Sequence, residues 1–265
     1  MNQNMSMDKE ASQKKILITA FRPFGGRTVN RSQEILDKII KEKEDGFKND
    51  KALRDLVQRK LLVIETELLN AKITLLDYNL NPLKDIEKFK SEFRLLLNKF
   101  SPSGVIMMGE HSGISGIRIE RYAMERLDTG VLRDIPGILG VLLGEFGTWK
   151  PVGTEFSQQE ADRAILRQKF EPVKIKTKRN EYYFGQVSAG EGSEVRHADF
   201  WCNEFFLVAQ KWANTAKHRP RILFIHVGYK DSKETIEVEL RQVKRYLWEM
   251  IDEIIPPDIP WVANR

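Results

Sequence analysis

Short continuous apolar runs alternate along the chain with longer stretches in which apolar residues recur every three or four positions. Ile16-Leu17-Ile18-Thr19-Ala20 is a run of the first kind, stopped by Pro23 and Gly25-Gly26. It predicts a buried strand over 15–21 that feeds a tight loop. Asn30 or Ser32 then caps a helix over about 33–43, with Ile35, Leu36, Ile39 and Ile40 on one face. Segments 59–69 and 72–77 read as two strands, with a hairpin as one way to join them. A second amphipathic helix over 82–99 carries Leu83, Ile86, Phe89, Phe93, Leu96 and Leu97. Strands follow at 104–108, ending at Gly109, at 182–188 and at 222–227. Helices are predicted over 199–217 and 234–254, the last with Ile236, Leu240, Val243, Leu247 and Ile251 in register.

Strands alternating with helices imply the α/β class: a three-layer αβα single domain built on a mainly parallel, twisted open sheet. Active sites in such folds lie beyond the carboxyl ends of the strands. Three segments suit that place: the loop at 21–26, the stretch 109–120, and His226. The organisation expected is a disordered tail over 1–14 and one hydrolase-type domain over 15–265, with loop insertions near 128–182 and 190–200. No linker or internal repeat argues for a second domain.

Composition narrows the function classes. Of 265 residues, 41% are hydrophobic, enough for a sizeable core, and 31% are charged. No apolar stretch approaches the roughly 18–20 residues that span a bilayer, and the polar first fifteen residues hold no apolar signal-peptide core. A membrane partner is therefore not expected. The net charge of +5 and pI near 9.1 raise nucleic acid as a partner. The basic residues are interleaved with acids, as in Lys84-Asp85-Ile86-Glu87-Lys88, which is the pattern of solvated helix faces. Only Lys174-Ile175-Lys176-Thr177-Lys178-Arg179 is locally basic, and no aromatics interleave it. Nucleic acid is not expected either. A single cysteine excludes an intrachain disulfide and accords with a cytoplasmic location.

Candidate chemistry centres on that cysteine. Cys202 stands in Phe200-Trp201-Cys202-Asn203, at the entrance to an apolar helix; His226 ends a run of β-formers; Glu120 sits in Ile117-Arg118-Ile119-Glu120-Arg121. On spacing alone a lone cysteine is more often a small buried hydrophobe. A thiol, an imidazole and a carboxylate are nevertheless the parts of a cysteine-nucleophile hydrolase. His111, His197 and His218 show no ligand spacing with each other or with Cys202, so no metal and no cofactor is expected. Phe21-Arg22-Pro23-Phe24-Gly25-Gly26 lacks the spacing of a phosphate loop. Its two phenylalanines at a strand end suit either a packed turn or the wall of a pocket for a small flat ligand.

Four segments in order resemble the pyrrolidone carboxyl peptidases, cysteine peptidases that remove an amino-terminal pyroglutamyl residue. The segment from Ile16 to Asn30 is similar to that family's strand, G-F-x-P-F-G-G loop and nearby Asn. Val105-Ile106-Met107-Met108-Gly109-Glu110 with Ile117-Arg118-Ile119-Glu120-Arg121-Tyr122-Ala123 is similar to its second motif, in which the Glu is catalytic. Phe200-Trp201-Cys202-Asn203 resembles the nucleophile motif, and Phe224-Ile225-His226-Val227 the F-I-H-[VI]-P-Y motif.

The departures fall around the pocket. Arg22 replaces an acidic residue, Glu110 a neutral one, and Gly228 the proline; the D-A-R-I-P-D stretch is missing near Asp128. The resemblance implies Cys202 as nucleophile, His226 as general base and then acid, and Glu120 as the residue that orients His226. It also implies Phe21, Phe24 and Phe200 around a lactam ring, Asn30 bonded to the lactam or bracing the loop, and Glu110 at the pocket mouth. The implied substrate is a peptide or a small acyl amide, and the implied assembly a homo-oligomer. A related amidase for another small acyl group, or a non-catalytic binding protein on the same fold, stays open beside this reading.

Overall fold

The computed structural model describes residues 13–23, 28–69, 82–111, 117–120, 123–127, 146–152, 174–176, 181–183, 201–228 and 233–255. At its centre is a five-stranded sheet in the order β2-β1-β3-β9-β4. Its strands are β1 (Lys14–Phe21), β2 (Leu62–Leu69), β3 (Gly104–His111), β4 (Ile117–Glu120) and β9 (Arg221–Gly228). β2, β1, β3 and β9 run parallel, and β4 is antiparallel to β9. Among the described residues five helices accompany the sheet: α1 (Arg31–Glu44), α2 (Lys51–Gln58), α3 (Pro82–Phe100), α4 (Trp201–Thr215) and α5 (Lys233–Ile254).

Alternation along the strands divides the core into two layers. Ile16, Ile18 and Ala20 of β1 face α1, α2 and α5, together with Ile106 and Met108 of β3 and Ile225 and Val227 of β9. Leu17 and Phe21, with Val105, Met107, Ile222 and Phe224, face α3 and α4. The first layer is almost wholly aliphatic, while the second is aromatic, with Phe93, Phe205, Phe206 and Trp212. Each such side chain contributes about 1.5–3 kcal/mol on burial, so strands buried on both faces hold the sheet in register. β1 leads through α1 and α2 to β2 on one side, and β3 then lies on the other side of β1. Strand order reverses between β1 and β3, and in open α/β sheets the carboxyl ends at such a reversal are where ligands bind.

The α/β class and mainly parallel sheet agree with the pattern of the chain, and several boundaries differ from it. α1 begins two residues earlier than expected, because Asn30 caps it: its side chain accepts the Ser32 N–H at 2.9 Å. Residues 59–61 are not strand. They follow α2, an eight-residue helix capped by Asp50 through the Leu53 N–H. β2 pairs in parallel with β1, and the strand expected over 72–77 lies outside the described residues. Where a strand over 182–188 was expected, β8 (Glu181–Tyr183) pairs with β7 (Lys174–Lys176) in a separate two-stranded ribbon. β5 (Ala123–Leu127) and β6 (Phe146–Val152) form another ribbon. The tail over 1–12 and the stretch 184–200, and most of 128–182, fall outside the described residues.

Candidate active site

Cys202 is the second residue of α4, whose first turn rests on the aromatic layer. Cys202 is 5% exposed. Beneath it lies Gly109, near the end of β3. A Cβ at Gly109 would stand 2.6 Å from Cys202 Sγ, 3.0 Å from Phe224 Cζ and 3.2 Å from His226 Cδ2. Sulfur and imidazole therefore both lie against a backbone position that has no side chain. This is a close approach that only glycine allows.

His226 reaches this point because β9 pairs with β3 in a register that sets it opposite Gly109. Alternation turns Phe224 and His226 to the α4 side, where their rings meet edge-on with centroids 5.0 Å apart. Phe206 packs on Phe224 at 5.2 Å and closes the stack from the helix. On the other flank, β4 pairs antiparallel with β9, Glu120 opposite Phe224 and Arg118 opposite His226. The Glu120 carboxylate thus lies diagonally beside the imidazole, with Oε1 2.6 Å from Nδ1, and both side chains are 5% exposed. A carboxylate oxygen can only accept, so this contact favours the tautomer with its proton on Nδ1, in which Nε2 is the basic nitrogen. Cδ2, the ring atom nearest Gly109, is bonded to Nε2. The working edge of the ring thus faces the side where the thiol sits.

The other predicted pocket residues divide. Phe21 is fully enclosed and meets Phe205 edge-on at 5.4 Å, so on these contacts it is a core residue beneath the site rather than an open wall. Phe24 and Phe200 lie outside the described residues. Asn30 is buried, with Oδ1 taken by the Ser32 N–H and hydroxyl. That bracing extends to β1, where the Phe21 N–H approaches Ser32 Oγ at 3.4 Å. Glu110 does not join the thiol. It follows Gly109 in β3 and so faces the other layer, where Oε2 accepts the Arg31 N–H at 2.6 Å.

Two buried charges escaped the reading of the chain. Arg31 Nε lies 3.1 Å from Oε2 of Glu239, which is fully enclosed on α5. Glu239 Oε1 accepts the Gly228 N–H at 3.0 Å, at the end of β9. One signal was available: Glu239 falls between Ile236 and Val243, on the apolar stripe of its helix. Among the described residues no cluster of three His, Cys, Asp or Glu side chains could hold a metal ion, and no helix is long and apolar enough to cross a membrane.

Comparison with known proteins adds to this geometry. No protein-family profile matches the chain. A pyrrolidone-carboxylate peptidase of Thermosipho melanesiensis is 30% identical over 123 residues, 46% of this chain and 46% of that protein, so the match spans about half the length of the relative. The pyrrolidone carboxyl peptidase of Pyrococcus furiosus superposes with a TM-score of 0.57 at 19% identity, covering 91% of this chain and 100% of that one. The enzyme of Thermococcus litoralis gives 0.56 at 16% identity, over 91% and 95%. The chain shares the fold of the pyrrolidone carboxyl peptidases. Against the motifs of those peptidases, the departures at Glu110 and Gly228 lie beside one another: one bonds Arg31, the other bonds the partner of Arg31.

Proposed function

We propose that the chain is a divergent pyrrolidone carboxyl peptidase that uses Cys202 to hydrolyse the amide bond after an amino-terminal pyroglutamyl residue. The observation that carries this reading is the buried 2.6 Å contact of His226 Nδ1 with Glu120, on a ring whose opposite edge shares its neighbour Gly109 with the Cys202 sulfur. A satisfied core histidine would need no thiol there, and a binding protein would need none of the three.

The reaction follows from the parts. An ordinary thiol titrates near 8.5, so at neutral pH it needs a base. Nε2 of His226 takes the proton, and the positive end of α4, where Cys202 is the second residue, favours the thiolate. Sulfur attacks the lactam-bearing carbonyl, and the backbone N–H groups of the first turn of α4, at the positive end of the helix, are suited to hold the oxyanion. The imidazolium returns its proton to the departing amine. Water, deprotonated by the same nitrogen, then opens the thioester and restores the thiol. Every proton in this cycle has a named carrier, and no metal or cofactor enters it. An acidic residue in the first turn, Glu204, is paired with Lys90 at 3.1 Å. Burial works against the Lys90 charge, but Glu204 and Glu87 outweigh it and hold its pKa above the ordinary value.

For the acyl group, Phe24 and Phe200 are the aromatic candidates, with Phe21 and Asn30 supporting the loop from below. A second reading, an amidase for another small acyl group, is favoured by the enclosure of Phe21 and by the departure at Arg22, whose side chain is exposed at the end of β1. The substrate is a peptide or acyl amide in either case, acted on by a cytoplasmic homo-oligomer. The test is fluorophore release from pyroglutamyl-coumarin against a panel of other aminoacyl coumarins. Release from the pyroglutamyl amide, lost by about 10⁴-fold or more in Cys202→Ala, is expected. Full activity in Cys202→Ala removes the mechanism, and cleavage of another amide alone selects the second reading.

A further inference from the structure

We infer that Glu239, working with Arg31, is a positioning residue for the Cys202–His226 pair, a charge lock on the far layer that holds the end of β9 where the imidazole needs it. The inference rests on the catalytic reading above and extends it to residues that touch neither thiol nor imidazole. Four elements meet in the lock. Glu239 of α5 accepts the Gly228 N–H of β9 at 3.0 Å and pairs with Arg31 of α1 at 3.1 Å, while the Arg31 backbone N–H bonds Glu110 of β3 at 2.6 Å. Arg31 also reaches Glu34 at 3.2 Å. The two anchored strand residues are those that matter for the site: Gly228 lies two beyond His226, and Glu110 is next to Gly109.

Stability does not explain such a device. Burying an ion pair costs about as much desolvation as its attraction returns, and apolar replacements of similar volume are often neutral or stabilising. What the pair supplies is direction: two oxygens aimed at two fixed donors. The residue in play sharpens the point. In the peptidase motif the position of Gly228 is proline, which fixes its own φ and has no N–H to give. Glycine at the same place leaves the strand end free to turn, and it also provides the N–H that Glu239 accepts. The lock thus restores by a hydrogen bond the rigidity that the glycine removes. Rigidity here has a catalytic consequence, because a misplacement of about 1 Å at a reacting group costs about a hundredfold in rate.

Because Cys202 is the only cysteine, alkylation by iodoacetamide reads the thiol alone and needs no peptide substrate. Glu239→Ala by itself would strand Arg31, so two doubly substituted proteins are compared. Arg31→Met/Glu239→Leu removes charge and acceptor together; Arg31→Met/Glu239→Gln removes the charge and keeps an acceptor for the Gly228 N–H. Both are expected to melt near the wild-type temperature. The Leu form should alkylate about tenfold more slowly at pH 6.5 and converge with wild type near pH 9, where any thiol ionises. On the amide the wild type cleaves, its kcat should fall by about ten- to a hundredfold with KM within threefold, while the Gln form stays within threefold of wild type. Identical alkylation profiles in the two folded variants overturn the lock and leave the catalytic reading intact. A wild-type thiol that reacts at pH 6.5 no faster than free cysteine overturns both.

Discussion

Gly104 opens β3 and Gly109 nearly closes it, yet the two glycines sit in unlike surroundings. A side chain added at Gly104 would meet the thioether of Met250, the flexible tip of a buried residue on α5. One added at Gly109 would meet a thiol, a phenylalanine ring and an imidazole that hold one another in place. The two edges of the sheet differ in the same sense. At the amino edge, Lys14, Ser103, Arg219, Arg221 and Glu253 line an open groove of about 790 Å³, and Arg221 meets Glu253 at 3.7 Å with both side chains about a third exposed. At the carboxyl edge, Asn30, Arg31, Glu120, His226 and Glu239 are all buried. Buried polar groups are costly unless paired, so the edge that encloses five of them carries a constraint other than stability. Polar residues left in water at the other edge carry none.

The contrast breaks first at Glu120. Glu120→Gln keeps the shape but loses the negative charge and lets an amide N–H face Nδ1, which favours the wrong imidazole tautomer, and kcat for the cleaved amide should fall by about 10³-fold with KM within threefold. Wild-type kcat in this variant would remove Glu120 from the mechanism. The glycine pair comes next. Gly109→Ala should lower kcat by about a hundredfold and slow alkylation of Cys202. Gly104→Ala should cost about 1–3 kcal/mol of stability from overpacking and leave kcat within twofold. Equal losses of activity in the two variants would dissolve the distinction between the edges.

A smaller effect separates the edges by pH. Burial pushes the Glu239 carboxyl up from its ordinary 4.5 to about 7, and the charge of Glu110 acts in the same direction; the Gly228 N–H and Arg31 pull the other way. The folded chain therefore holds a proton that the unfolded chain has released. That contribution to stability is fully present below about 4.5 and is lost as pH rises through about 7. Denaturant unfolding of the wild type should show this decline between pH 5 and 8, and Arg31→Met/Glu239→Gln should flatten it. An unchanged slope would assign the decline to other groups. The smallest effect belongs to the amino edge, where Glu253→Gln should alter stability by less than about 0.5 kcal/mol at any pH in that range, because exposed pairs are screened by water.

Legibility followed the range of the interactions. β1, β3 and β9 were visible as short apolar runs because they are buried on both faces, and α5 was visible because its stripe repeats over 22 residues. α2, eight residues long, and β4, four residues with an arginine among them, are too short for a period to stand out. Their existence rests on packing against β2 and on pairing with β9. Among the candidate site residues, motifs picked out Cys202, His226 and Glu120, whose proximity only the fold displays, and no motif foretold that Phe21 would pack on Phe205 or that Glu110 would accept the Arg31 N–H.

The residue order by itself determined the layered α/β class, the order of the strands and helices that carry the motifs, and the identity of the one thiol available. Each depends on periodicity or composition within a few residues, which the chain displays before it folds. Only the tertiary structure decided that Gly109 lies under the sulfur, that Glu120 and His226 are diagonal neighbours, and that Arg31 and Glu239, 208 residues apart, meet in the dark of the protein. On the sequence Arg31 is one more charge before a helix, and Glu239 shows only its place on an apolar stripe, which names no partner. Their burial follows from how α1 and α5 pack over one layer of the sheet, and no local pattern records which charge a distant helix will cover.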